Sequence, residues 1–295
     1  KTLYMKKVNN FFEKAILEPL QGIIAIFLYY LFWCLRPKTA SWLGGKLALF
    51  ISPILPQNKR ALDNIKLIYP NLSKLKRQKI LREAIENLGR NAGEYPHLGK
   101  IDDYITIKGI ENLPEKNIPF IFVAAHLANW ELTPYPGIKI NRPVMRVYRK
   151  LNAPLAEWIL RKKKSPLPGE VVPKGNKGAI KMLSILRSKG IVLLLSDQRL
   201  NTGIKIDFMG HPANTLTSPA VMSLKLKCPI IPLQIIRKDG YFFEIIIHPK
   251  LNTNKFSGDK DKKVKDIMVE INNLISGWIN QNPGQWFWHH RRWKV

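Results

Sequence analysis

The chain has 295 residues, 45% of them hydrophobic, which suffices for a real core in one domain or two small ones and excludes a disordered tail. Its 48 Lys and Arg against 21 Asp and Glu leave a formal charge of +27, so a stable partner surface should be anionic: nucleic acid, acidic protein, phosphorylated lipid or membrane. The two cysteines, Cys34 and Cys228, stand in apolar neighbourhoods; they exclude a disulfide framework or a metal-ligand set by spacing and fit a reducing, cytoplasmic-side location.

From Leu20 to Leu35 the sequence LQGIIAIFLYYLFWCL carries no charge. As a helix it would be about 24 Å long, short of the roughly 30 Å hydrocarbon core of a bilayer. Tyr29, Tyr30 and Trp33 are residue types that settle at a membrane interface. The segment is expected to anchor in a bilayer or tilt through it, a buried apolar helix being the alternative. No small-residue cleavage site precedes Arg36 and Lys38, which argues against a signal peptide. Basic residues flank both ends, so charge asymmetry does not set an orientation. The next stretch, TASWLGGKLALFISPILP, is again mostly uncharged but broken by Gly44, Gly45, Lys46 and Pro53.

From Arg60 the spacing predicts a short helix, a turn at Pro70-Asn71 and a longer amphipathic helix with Ile80, Leu81, Ala84, Ile85 and Leu88 on its core face. DYITIKG, IPFIFVAA and PVMRVYR follow as strands. APLAEWILRKKK and NKGAIKMLSILRSKG are helical, the second leading directly into the strand IVLLLSD. Near-continuous apolar runs separated by helices imply strands covered on both faces, hence an α/β sheet. Ser218-Pro219 reads as an N-cap with proline at the first helical position, opening the helix PAVMSLKLK. Two strands joined at Asp239-Gly240 form a hairpin, and a last helix runs from about Asp261 to Asn280.

His126 stands just past the strand that ends in Ala124-Ala125, with Glu131 five positions on. On an ideal helix such positions lie roughly 140° apart around the axis, so the two meet only if His126 sits in the turn before the helix. A carboxylate on one imidazole nitrogen would fix the tautomer and support developing charge, leaving the other nitrogen as general base for a hydroxyl. A hydrogen-bonded structural histidine is the alternative. Other polar clusters also fall at strand ends, where ligands gather in open α/β sheets. Arg149 and Lys150 follow one strand and suit a phosphate or carboxylate, Arg149 with a bidentate fork. Asp197 and Arg199 follow another, Asp197 facing a cleft or serving as a turn residue. Lys174 in VVPKG is a candidate phosphate contact, while Asn214 and Thr215 line a pocket or shape a turn.

The C-terminal QWFWHHRRW has two readings. It is an interfacial belt, with Trp286, Trp288 and Trp293 among headgroups and Arg291 and Arg292 on phosphates, or the tryptophans pack on the sheet and the basic residues face water. His289 and His290 have no matching ligand set, so no metal is expected.

Taken together, HLANWE, YRKLNAPL, VVPKG, LLSDQRLNTGIKIDFMGHPANTLTSPAV and PGQWFWHHRRWK resemble the bacterial lipid A late acyltransferases, the lauroyl/myristoyl transferase family. With the apolar N-terminal helix and NIKLIYPNLS…ENLGRNAGEY, the likeness spans nearly the whole chain in order. The resemblance implies a glycerolipid acyltransferase-like fold, a mixed central sheet flanked by helices, with residues 1–45 as a membrane-anchoring helical segment and 46–295 as the acyltransferase domain. It implies an enzyme of the bacterial inner membrane, facing the cytoplasm, that moves a fatty acyl chain from acyl carrier protein to a hydroxyl of a phosphorylated glucosamine-disaccharide lipid. By the same resemblance His126 is the general base, Glu131 its partner, and Arg149 and Asp197 are functional. Asn129, Lys150, Lys174, Gln198 and Arg199, in or beside the same motifs, complete the expected substrate-binding set, and no metal or cofactor is implied. Gly284 stands where the family usually has glutamate, and Ala153 where asparagine is common; these bear on the substrate more than on the reaction. An acyltransferase for another glycolipid or a glycerophospholipid would share the dyad and differ in acceptor. A basic nucleic-acid-binding protein, suggested by charge and by WFWHHRRW, explains neither the apolar N-terminus nor the buried strands with polar turns.

Overall fold

Strands β2 (Phe120–Ala124) and β5 (Ile191–Leu195) lie side by side and parallel at the centre of the molecule, and their apolar runs explain why. Alternate residues of a strand point to opposite faces. Ile121, Val123, Val192 and Leu194 enter one core cluster, and Phe120, Phe122, Ala124, Ile191 and Leu193 enter the other. Neither strand has a solvent face, so neither has an alternating pattern. The computed structural model describes residues 18–148, 154–159, 167–173 and 175–293.

Around this pair the sheet has seven strands in the order β1-β9-β8-β2-β5-β3-β4, adding β1 (Ile105–Lys108), β3 (Val144–Tyr148), β4 (Glu170–Pro173), β8 (Ile230–Arg237) and β9 (Phe243–Ile247). All neighbours are parallel except β8 and β9, so the sheet is mixed, as expected. The β8–β9 turn falls at Asp239-Gly240, with Gly240 at φ +51°. A separate hairpin of β6 (Arg199–Phe208) and β7 (His211–Thr215) has no counterpart in the sequence expectation. Its turn, Met209-Gly210, puts a methionine at φ +56°, a residue that gives no turn signal.

Helices cover both faces. The N-terminal layer comprises α1 (Glu18–Trp33), α2 (Pro37–Ile51), α3 (Gln57–Ile68) and α4 (Lys74–Glu94). The short α5 (Tyr135–Lys139) follows β2, α6 (Asn176–Arg187) precedes β5, and α7 (Ser218–Leu226) precedes β8. The last helix, α8 (Lys260–Gln281), is capped by Asp259, which accepts from the Lys262 backbone N–H at 2.7 Å. In α4 the Ser73 hydroxyl plays the same part toward Lys76.

Gly44 and Gly45, expected to break the second apolar stretch, lie inside a continuous α2. Their missing side chains let α2 and α4 touch backbone to backbone: a Cβ on Gly44 would strike the Gly89 carbonyl, and one on Gly93 the Ala40 carbonyl. Close approach through small residues is common at helix crossings. On α1, Tyr29 and Phe32 are buried, while Leu20, Ile23, Ile24, Phe27 and Trp33 are exposed; further along, Trp42, Phe50 and Ile54 are exposed too. Among the described residues no helix is long and apolar enough to cross a membrane.

The glycine contacts predict opposite signs for one substitution. Gly44→Ala should destabilise by about 1–3 kcal/mol through overpacking. Gly277→Ala, in α8 with nothing near its Cβ position, should stabilise by up to about 1 kcal/mol through helix propensity. Urea midpoints of the two variants check both.

Candidate active site

In register, Ala124 of β2 stands opposite Leu195 of β5. Two residues past each strand, at the carboxyl edge of the sheet, come His126 and Asp197. The chain leaves β2 toward β3 on one side and leaves β5 toward β8 on the other. In open α/β sheets ligands gather at the carboxyl ends of such strands.

The two side chains meet there. His126 Nδ1 lies 2.7 Å from Asp197 Oδ1. The other carboxylate oxygen, Oδ2, accepts from the His126 backbone N–H at 2.8 Å and from the Trp286 indole Nε1–H at 2.7 Å. Asp197 is fully buried. Burial alone would push its carboxyl up, but the charge of His126 and its hydrogen bonds outweigh that and hold Asp197 well below the usual carboxylate range. An ionised carboxylate accepts only, so the imidazole carries its proton on Nδ1. Nε2 is left as the basic lone pair, with Gln198 Nε2 3.1 Å away to donate to it.

This corrects the expected pairing. The carboxylate on the imidazole is Asp197, which arrives from the neighbouring strand at the same level. Glu131 belongs to the single turn Trp130–Leu132, and its Oε2 accepts from Arg146 of β3 at 3.4 Å. The expectation of Glu131 came from the family resemblance, and no linear pattern could bring in a partner from a neighbouring strand.

The C-terminal segment closes over the pair. Phe287 N–H donates to the His126 carbonyl at 3.0 Å, and Ala128 N–H to the Gln285 carbonyl at 2.9 Å. Trp286, Trp288 and Trp293 are buried in the larger core cluster, which overturns the interfacial-belt expectation in favour of packing. Arg292 is buried as well, against the expectation that it holds phosphate or faces water; Arg291 is exposed. The Arg292 guanidinium stacks 4.4 Å over Phe208 and donates to the Asn214 carbonyl and the Thr215 hydroxyl, each at 2.8 Å. Burial brings it down to about 10, so it keeps its charge at neutral pH. Burial likewise lowers His289 to about 4 and His290 to about 3, leaving both neutral.

A family model described as bacterial lipid A biosynthesis acyltransferase matches residues 11–295. The chain belongs to this family. No curated protein matches it. Among solved structures, it is similar to the 1-acyl-sn-glycerophosphate (LPA) acyltransferase PlsC from Thermotoga maritima, at 14% identity and a TM-score of 0.40, with 91% of this chain and 99% of that chain covered.

Within this lipid A acyltransferase family member, the remaining motif residues distribute unevenly around the site. Asn129 is fully buried; its Nδ2 donates to Glu94 Oε2 at 2.8 Å and its Oδ1 accepts the Glu131 backbone N–H at 3.2 Å, so it shapes the loop from inside. Gln198 faces the imidazole. Arg199 opens β6 opposite Thr215 and is partly exposed. Arg149, Lys150 and Lys174 lie outside the described residues, as does Ala153. Gly284 is buried, and a Cβ there would collide with the Glu83 side chain of α4, which fills that room. Cys228 is buried with its thiol pushed up to about 11 by desolvation, and Cys34 lies just past α1. Among the described residues no group of three or more His, Cys, Asp or Glu could hold a metal ion.

Four contributors had escaped the sequence: Trp286 as a donor to Asp197, Arg146, and the pair Glu94 and Arg237 beneath the loop. The only signal for Glu94 was polar spacing on α4, hidden in a stretch read for its apolar stripe.

The depressed Asp197 carboxyl makes stability depend on pH. A group held below its unfolded value of about 3.9 adds stability above that pH and loses it as pH falls toward the folded value. Asp197→Asn should therefore be less stable at pH 7, by about 3 kcal/mol. It should also lose less stability than wild type on acidification from pH 5 to 2. Urea midpoints across that range check the slope.

Proposed function

We propose that this protein transfers a fatty acyl chain from an acyl carrier protein thioester to a hydroxyl of a lipid A precursor, with His126 as general base. The observation that carries the proposal is the orientation of the imidazole: Nδ1 is committed to an ionised, buried Asp197, and the basic Nε2 stands beyond the ends of β2 and β5. In the forward step Nε2 takes the proton of the acceptor hydroxyl as its oxygen attacks the thioester carbonyl. The tetrahedral intermediate then collapses, the C–S bond breaks, and the proton returns from the imidazolium to the departing thiolate of the carrier. Asp197 stabilises the imidazolium between the two transfers. Cys228 does not suit an acyl-enzyme, because burial holds its thiol protonated. The proposed route is direct transfer between bound donor and acceptor.

The same reading has the protein working at the cytoplasmic face of a bacterial inner membrane. What supports this is the exposed apolar side of α1 together with a charge of +27, which favours an anionic bilayer, an acidic carrier protein and a phosphorylated acceptor alike. Arg149, Lys150 and Lys174 remain the candidates for acceptor phosphate.

The test uses purified protein with anionic vesicles, a panel of acyl carrier thioesters, and either a lipid A precursor or a lysophosphatidate as acceptor, products being identified by mass. Wild type should acylate the lipid A precursor. His126→Ala should lower kcat by about 10³-fold or more, and Asp197→Asn by a similar factor. An unchanged rate in His126→Ala overturns the general-base assignment. Product from lysophosphatidate alone would move the acceptor to glycerophospholipids, and a trapped acyl-protein would overturn direct transfer.

A further inference from the structure

The loop that carries His126 is supported from behind by a buried polar cluster that takes no part in the chemistry above. Asn87, Asn91 and Glu94 lie four and three residues apart on α4, hence on one face of it. Arg237, the last residue of β8, meets all three. Its guanidinium forks onto Glu94, with one N–H donating to Oε2 at 3.0 Å, and its other N–H groups donate to Asn87 Oδ1 at 2.9 Å and Asn91 Oδ1 at 2.7 Å. A guanidinium only donates, so each asparagine must turn its oxygen toward Arg237 and its amide nitrogen away. Both amides then donate to one acceptor, the carbonyl of Ala128, at 3.0 Å and 2.7 Å. Glu94 completes the cluster by accepting from Asn129 at 2.8 Å and from Ser41 of α2 at 2.6 Å.

Ala128 is the residue on which this converges, and it has φ +48°. That left-handed region disfavours an alanine because its Cβ crowds the following carbonyl. Two donors on its carbonyl, and its own N–H tied to Gln285, hold the peptide in the unfavourable state. Two residues earlier stands His126, whose backbone N–H is itself one of the Asp197 bonds.

We propose that Glu94, Arg237, Asn87 and Asn91 are positioning residues for the imidazole. By fixing Ala128 in the left-handed region they hold His126 in line with Asp197. The activity arm of the test rests on the acyl-transfer reading; a spectroscopic arm does not.

In wild type the Nδ1 proton, lying in a short hydrogen bond to a carboxylate, should give a far-downfield proton resonance, assigned by its absence in His126→Ala. In Asn91→Ala that resonance should shift or vanish, and kcat should fall about 10- to 100-fold with KM little changed. Adding Ala128→Gly to Asn91→Ala should restore both in part, because glycine enters the left-handed region without penalty. A merely structural role predicts the reverse, since glycine removes a buried methyl group and loosens the loop. An Asn91→Ala protein that is folded and keeps the wild-type resonance and kcat overturns the proposal, as does a further loss on adding the glycine. If Asn91→Ala does not fold, Asn87→Ser and Arg237→Lys carry the same comparison. A wild type that transfers no acyl group yet shows the resonance, altered in these variants, would refute the acyl-transfer reading and leave the positioning role standing.

Discussion

A carboxylate without solvent access must find its compensation inside the protein, and much of this structure follows from how Asp197 does so. Removing an ion from water costs several kcal/mol even after relaxation. Asp197 offsets this with three donors: the His126 ring, the His126 backbone N–H and the Trp286 indole. Two come from just past the end of β2 and one from a segment almost ninety positions beyond Asp197 in the chain. The C-terminal segment therefore has to be laid across the carboxyl edge of the sheet before the carboxylate is satisfied. Its Trp288 and Trp293 supply the apolar area that keeps it there, and Arg292, clasped by Asn214 and Thr215, ties it to the β6–β7 hairpin.

A second buried carboxylate, Glu94, faces the same loop from the opposite side, matched by Arg237. The loop from His126 to Asn129 is thus held between two ion-containing clusters, one touching its first residue and the other its last. Such an arrangement is poor value for stability, because buried ion pairs roughly break even against apolar packing. It is well suited to precision, since every donor is matched to a particular acceptor and an alternative loop conformation would strand a charge. The glycine-lined crossing of α2 and α4 belongs to the same device: it brings Ser41 near enough to donate to Glu94.

The sheet was legible in the sequence because two-sided burial leaves a distinct mark: FIFVA and IVLLL admit no polar residue. The helices α4 and α8 showed through their periodicity, and the β8–β9 turn through Asp239-Gly240. What stayed hidden was non-local. His126 and Asp197 were each singled out, but the family resemblance paired His126 with Glu131, and nothing in a linear pattern places β5 beside β2. The tryptophans near the C-terminus had two readings because an aromatic-basic run has the same composition whether it faces lipid headgroups or fills a core. The β6–β7 hairpin was missed because its turn places a methionine where glycine or asparagine would have been the sign. The asparagines of α4 were passed over because a buried polar residue and a solvated one look alike until the opposing surface is known.

Under the proposed acyl transfer, the geometry also bears on where rate enhancement arises. Asp197 is ionised before, during and after proton transfer, so its bond to a neutral imidazole contributes equally to the ground state and gives no acceleration by itself. Its advantage is gained when Nε2 takes a proton and the ring becomes cationic beside a desolvated negative charge, where the attraction is far stronger than in water. Gln198 works in the other direction, because an amide N–H on Nε2 stabilises the unprotonated ring and must give way to the acceptor hydroxyl. In that reaction proton abstraction would be linked to occupancy of the site, because the amide shields the lone pair until a hydroxyl displaces it. In the proposed reaction, a base released only when the acceptor is in place would protect a thioester donor from attack by water.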